Sequence, residues 1–174
     1  MKIELKKIAF YERMSEETNA FTCDVYVNGI KTGYAKNDGQ GGSTYIHSYE
    51  GKSLLLHEAE SYAEAQPPIQ VTFANHTHPI KVTLDLLIDK MVEEHVKAKL
   101  NKNFEKKIQK ACEVSIVWGV PNSGSFHAIP FQGKPKLSEI SKTMQGQAAI
   151  KTLVEKIKKQ MKEGEVILNT NILH

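Results

Sequence analysis

Phe21-Thr22-Cys23-Asp24-Val25-Tyr26-Val27-Asn28-Gly29-Ile30-Lys31-Thr32-Gly33-Tyr34-Ala35-Lys36 is the stretch that decides the fold class. Phe21, Cys23, Val25 and Val27 alternate with Thr22, Asp24 and Tyr26, the period-two pattern of a strand with one buried face. Asn28-Gly29 follows, and both residues tolerate the positive φ that a two-residue hairpin turn demands. Ile30, Thr32 and Tyr34 carry the alternation along the returning strand. A hairpin makes the local sheet antiparallel.

Upstream, residues 2–12 read as a further strand. Ile3 and Leu5 share one parity and Ile8 and Phe10 the other, which predicts a bulge between the two pairs. Downstream, Asn37-Asp38-Gly39-Gln40-Gly41-Gly42-Ser43 breaks the pattern, and Thr44-Tyr45-Ile46 is read as its brief resumption. Residues 52–65 have helical spacing and are closed by Pro67-Pro68, and Ile69 to Phe73 alternates as a strand. A helix is predicted over 84–111, with apolar positions from Leu84 through Ile88, Val92 and Val96 to Ala111. Unbroken it would span roughly 40 Å, so a break is expected near Asn101 to Asn103. Residues 113–119 and 125–131 read as a second hairpin around Pro121-Asn122-Ser123-Gly124. Residues 136–163 read as a helix interrupted at Gly146 and ended by Gly164 as its C′ residue, and 165–173 as a last strand.

Hairpins interspersed with helices imply an α+β chain with antiparallel sheet and three main helices. The order is βββα over 1–68, then βαββαβ over 69–174, the two halves forming two units or one continuous domain. The length of 174 residues accommodates either. A composition 40% hydrophobic and 25% charged excludes wholesale disorder, collagen and coiled-coil arrays. No window approaches the ~18 apolar residues of a membrane helix, and Met1 to Lys7 has no signal-like apolar core. Cys23 and Cys112 are too few for a disulfide framework, so a cytoplasmic protein is expected.

Charge is unevenly spread. Residues 1–80 carry seven basic and ten acidic side chains, a net of −3, and residues 81–174 carry sixteen and ten, a net of +6. The excess lies in Lys97, Lys99, Lys102, Lys106, Lys107 and Lys110, and in Lys151, Lys156, Lys158, Lys159 and Lys162. Glu residues intervene at helical spacing, so a solvated helix face competes with a polyanion-binding one. Twenty-two Lys accompany a single Arg, Arg13. Bidentate base and phosphate recognition uses the guanidinium fork, so sequence-specific nucleic-acid reading is not expected. The same bias fits an AT-rich coding sequence, as in a low-GC bacterium or its phage.

Several short motifs bear on chemistry. Gly51-Lys52-Ser53 has Ile46 where a P-loop needs its first Gly, which leaves an ordinary helix start able to attract a phosphate through free amides. The glycine loop presents Asn37, Gly39, Gly41, Gly42 and Ser43, whose amides could cradle an anion, between Tyr34 and Tyr45, which could stack on a base or sugar. With Lys52 and Ser53 these residues form the candidate ligand site. His76-Thr77-His78 places two imidazoles on one face if the segment is extended, a pair that can hold zinc or another transition metal, as in metal-dependent hydrolases. A third ligand is required, and His95, read on the apolar stripe of the long helix, is poorly placed for it. Cys23 shares the apolar face of Phe21 and Val25 and reads as buried. No G-x-S-x-G elbow occurs, and adjacent carboxylates such as Glu16-Glu17 do not face each other.

The order of elements over 2–65, three strands and a helix with a Gly-rich segment before it, is similar to the double-stranded-RNA-binding module. That family opens the helix with paired lysines on the phosphates. Here the stretch reads His47-Ser48-Tyr49-Glu50-Gly51-Lys52, with one Lys and one Glu. The resemblance therefore implies an arrangement and not RNA binding.

No complete catalytic constellation emerges, which favours a non-catalytic binding or regulatory protein over an enzyme, with no cofactor. Its expected partner is a nucleotide-like anionic small molecule or another protein, as in a bacterial or phage inhibitor. The alternatives are a metal-dependent hydrolase on His76 and His78 and a nonspecific, Lys-driven nucleic-acid binder. A homodimer is expected from the apolar length of the 84–111 helix.

Overall fold

The computed structural model describes residues 1–73 and 76–172, and only the backbone of Phe73, His76 and Asn171. The chain is α+β with antiparallel sheets and divides into two compact units, Met1–Lys97 and Ala98–His174. No helix among the described residues is long and apolar enough to cross a membrane.

The first unit is built on a four-stranded meander, β1 (Ile3–Phe10), β2 (Phe21–Val27), β3 (Ile30–Asn37) and β4 (Tyr45–Ser48), in that spatial order. Asn28 and Gly29 have φ of 52° and 82°, the primed turn that matches strand twist. The expected bulge in β1 is present. Lys7 has φ 52°, and pairing with β2 jumps between Lys6 and Ala9, so Ile8 and Phe10 rejoin the inner face set by Ile3 and Leu5.

A second bulge corrects the reading of β3. Tyr26 pairs with Lys31 but Val25 with Gly33, which makes Thr32 the extra residue. Thr32 is fully buried, and beyond it Gly33 and Ala35 point inward while Tyr34 and Lys36 turn out. Ile30, Thr32 and Tyr34 therefore do not share a face. The resumption at Thr44 to Ile46 is a full fourth strand. Gly33 serves the β3–β4 pairing, since a Cβ there would lie 2.1 Å from the carbonyl oxygen of His47.

Helix α1 (Ser53–Glu64) and the first four turns of α2 (Leu84–Val114) supply the other side of the core. Leu56, Ala59 and Ala63 join Leu84, Ile88, Val92 and Val96 with Phe21, Cys23, Val25 and Val27 in one buried cluster. His95 is exposed rather than on this stripe. Between α1 and α2 lies a hairpin, β5 (Ile69–Phe73) with β6 (His76–Ile80), aligned so that Val71 faces His78 and Thr72 faces Thr77. The extended segment read at His76-Thr77-His78 is thus paired as a strand, a pairing that His, Thr and Pro79 signal only weakly.

Helix α2 runs 31 residues with no break at Asn101–Asn103, and it continues to Val114. Residues 97–103 are all exposed, so apolar burial does not fix this stretch, and helix-favouring Lys, Ala and Leu carry it. The division between the units falls here.

In the second unit β7 (Ser115–Gly119) is flanked by β8 (His127–Pro130) and β9 (Val166–Ile167). Ile116, Leu137, Ile150 and Ile157 form the core beneath α3 (Leu137–Ile140) and α4 (Met144–Lys158). The interruption lies at 141–143 rather than at Gly146. Thr143 caps α4 by accepting from the Gly146 N–H at 3.0 Å, and Gly146 is required because a Cβ would lie 1.9 Å from the Ile140 carbonyl oxygen. Gly164, at φ 84°, belongs to the turn in which the Glu165 N–H donates to the Lys162 carbonyl, and is not the C′ residue of α4.

The predicted strand over 165–173 shrinks to β9 and a 3-10 turn over Thr170–Ile172. Asn169 explains why. Fully buried, its Oδ1 accepts from the Val117 N–H at 2.6 Å, and its Nδ2 donates to the Ser115 carbonyl at 2.9 Å and the Cys112 carbonyl at 3.4 Å. The side-chain amide thus extends the ladder and ties down the end of α2. Asn169→Ala leaves these buried groups unpaired and is expected to cost the second unit about 1–3 kcal/mol. Urea denaturation followed by Trp118 fluorescence measures it.

Candidate functional site

The parity of β2 determines what the outer face of the meander carries. With Cys23 and Val25 inward, Asp24 and Tyr26 point outward, and the cross-strand register places Tyr34 beside Asp24, His47 beside Tyr34, and Tyr45 beside Lys36. Tyr34 sits at the centre of a ring cluster. Its centroid lies 5.3 Å from that of His47 and 6.3 Å from those of Tyr45 and Tyr49, at interplanar angles of 43°, 52° and 45°. Tyr45 and His47 are nearly parallel, at 14° and 6.3 Å. Tyr45 is 52% exposed and His47 is exposed, while Tyr26, Tyr34 and Tyr49 are half-buried.

Cations are interleaved with the rings. Lys31 Nζ lies 5.0 Å from the Tyr49 centroid and 3.0 Å from Asp24 Oδ1, and Lys6 Nζ lies 4.1 Å over Tyr26. The hydrogen bond to Asp24, then that to Tyr49, raises the pKa of Lys31 and keeps it charged. Among the described residues, Asp24 Oδ2 has no hydrogen-bond partner, and it approaches Lys7 Nζ only to 3.9 Å. Asp24 thus holds Lys31 against the face, with Lys7 at the limit of an ion pair. Lys2, Lys6, Lys7, Lys31 and Lys36 outnumber Glu4, Asp24 and Asp38, so this side is positive within a half of the chain that is net negative.

Further acids of the unit line two grooves. Glu60, Glu64 and Asp85 line a groove of about 310 Å³ with Thr44, Ile46, Thr83 and Leu84. Asp89 and Glu93 line another of about 450 Å³. Lys90 lines the second groove as well, and Glu64 and Glu93 are ion-paired with Lys81 and Lys97. Burial, and the nearby Asp85 charge, raise the pKa of Asp89, while a hydrogen bond from Thr44 opposes the shift.

Of the residues singled out in the sequence, Tyr34 and Tyr45 come together on the sheet face. Asn37 is buried and serves the loop: it accepts from the Thr18 hydroxyl at 2.9 Å and the Gly39 N–H at 2.8 Å, and donates to the Gly42 carbonyl at 2.9 Å and Thr44 Oγ1 at 3.1 Å. Gly39, at φ 85°, directs its carbonyl at the N–H groups of Glu16, Glu17 and Thr18, at 3.0, 3.0 and 3.3 Å. The anion-like partner of that amide cluster is therefore the loop's own carbonyl. Gly41, at φ 86°, packs on Glu17, and Gly42 and Ser43 are exposed. Lys52 is the half-buried N-cap of α1, without a side-chain cap bond, and Ser53 opens the helix, exposed.

His78 is exposed on β6, and the side chain of His76 lies outside the described residues. Among the described residues, no group of three or more His, Cys, Asp or Glu could hold a metal ion. Both cysteines are free and buried, and burial pushes the Cys23 thiol up to about 11. His47, Tyr49 and Lys31 join the cluster without having been singled out as ligand-binding. The alternation signal was present, but it becomes readable only once the bulge at Thr32 fixes the parity of Tyr34.

No protein family, curated protein or solved structure matches this chain.

The raised pKa of Asp89 sets a pH dependence. Protonation favours the fold, a contribution fully present below the ordinary carboxyl value of 3.8 and lost as pH rises through the raised value. Asp89→Asn, which keeps an oxygen for Thr44, is expected to raise the melting midpoint at pH 7. The advantage should vanish below about pH 4, as thermal melts across pH would show. An advantage independent of pH would contradict this origin.

Proposed function

We propose that this chain is a non-catalytic binding protein that holds a nucleotide-like, anionic ligand on the outer face of the four-stranded sheet. The observation that carries the reading is the gathering of Tyr34, Tyr45, His47 and Tyr49 around one centre, with Lys31 held beside them by Asp24. Aromatic faces accept bases by stacking, and ammonium groups accept phosphates. Lys31 and Lys36 offer compact charges rather than guanidinium forks, which suits attraction without base-specific reading. The glycine loop contributes by fixing the segment between β3 and β4, through Asn37 and Gly39. Tyr34 and Tyr45 remain ligand groups in this reading, while Asn37, Gly39 and Gly41 act through the loop.

The test is a 15N-resolved NMR titration of the full chain with AMP and UMP. Stacking on one or two open rings predicts weak binding in the millimolar range. Shifts should concentrate at Tyr34, Tyr45, His47, Tyr49 and Lys31. Shifts confined to residues 97–110 or 151–162, or none at millimolar nucleotide, would contradict the proposal.

A further inference from the structure

The outer sheet face is open, and that openness bears on the size of its ligand. Tyr45 is 52% exposed and His47 is exposed, so a lone nucleotide would cover one or two rings and stay largely in water. The rings around Tyr34 are tilted against it by 43° to 52°, so each offers its own face rather than stacking fully on its neighbour. Lysines flank the central row of Asp24, Tyr34 and His47: Lys36 in register with Tyr45 on one side, and Lys31 with Tyr26 on the other. Both lysines therefore lie on β3, on either side of Tyr34, with the rings of β4 beside them. A repeated array of weak stacking and phosphate contacts gains affinity when its ligand is itself a repeat.

On the strength of the binding reading above, we infer that the ligand is a single-stranded nucleic acid, laid across β3 and β4 with bases on Tyr34, Tyr45 and Tyr49 and phosphates toward Lys31 and Lys36. A duplex does not suit the face, because its bases are already stacked on both sides and the tyrosines would have no exposed ring to meet. Charge complementarity selects the polyanion. Lysines outnumber carboxylates on the sheet face, while along α2 Asp85 and Asp89 stand beside a mixed row in which Lys90 and Lys97 accompany Glu93, so the sheet face is the side that favours a polyphosphate chain.

The experiment is fluorescence anisotropy on the full chain with labelled dodecamers of oligo(dT) and oligo(U), with UMP and a duplex dodecamer as competitors. The single strands are expected to bind at least ~100-fold more tightly than UMP or the duplex. Two neutralised phosphates predict a slope of about −1.4 for log affinity against log salt. Tyr45→Ala should weaken binding about 5- to 150-fold, the range for loss of one base–ring stack, while Tyr45→Phe keeps it. Because Tyr45 lies outside the core, its truncation should leave the thermal midpoint in place. Substituting Lys102, Lys106 and Lys107 together by Ala should leave oligomer binding within about twofold, since these phosphates are not theirs to hold.

Single strands no tighter than UMP, with UMP still shifting the sheet resonances, would overturn the polymer and leave the nucleotide reading standing. Silence from both oligomer and nucleotide would overturn both. Duplex binding equal to single-strand binding, or binding that survives Tyr45→Ala and is lost in the triple lysine variant, would also overturn the inference.

Discussion

Burial of a single face of the β1–β4 meander is the constraint on which the first unit depends. Phe21, Cys23, Val25 and Val27 must all lie under α1 and α2, and a strand has only two faces. Once those four are placed, Asp24 and Tyr26 have nowhere to go but outward. Neighbouring strands must match this parity to share the core. β1 does so through its bulge at Lys7, and β3 through its bulge at Thr32. The second bulge matters more for function, because it turns Tyr34 to the same side as Tyr45 and His47. Hydrophobic burial on one side thus assembles an aromatic and cationic surface on the other.

A second constraint ties the irregular loop to the helical layer. The Thr18 hydroxyl donates to Asn37, Asn37 donates to Thr44, and Thr44 donates to Asp89 on α2. Each is a polar group in a poorly solvated place, and each finds a partner in the next. Gly39 adds a closer contact: a Cβ would lie 2.2 Å from the Met14 carbonyl oxygen, so the loop can approach residues 14–18 only without a side chain. The glycines that resemble a phosphate cradle in sequence thereby lock the chain between β3 and β4, which fixes the edge strand bearing Tyr45 and His47.

Local rules carried the strongest signals in the sequence. Asn28-Gly29 announced its hairpin because two adjacent positive φ values have few alternatives, and Ile3, Leu5, Ile8 and Phe10 announced their bulge by a change of parity. Features that depend on a distant partner were not legible. Thr32 looks like any strand residue, and its extrusion follows from pairing Val25 with Gly33. Asn169 carries no strand or helix signal, yet it ends the last strand by bonding Val117 and Ser115 more than fifty residues away. The unbroken α2 was not legible either, since length alone argues for a break, whereas the exposed 97–103 stretch is held by helix propensity without burial. Within the site, Tyr34 and Tyr45 could be picked out as neighbours of a glycine loop. That His47, Tyr49 and Lys31 are their companions is a fact of register.

The central claim is that the outer face of the first unit, and not the lysine-rich helices of the second, is the binding surface. Photo-crosslinking a 4-thiouridine-containing oligonucleotide to the full chain, with the sites read by mass spectrometry, tests it most directly. The account predicts adducts on peptides containing Tyr34, Tyr45, His47 or Tyr49. Adducts confined to residues 97–110 and 151–162, with the sheet peptides unmodified, would contradict it.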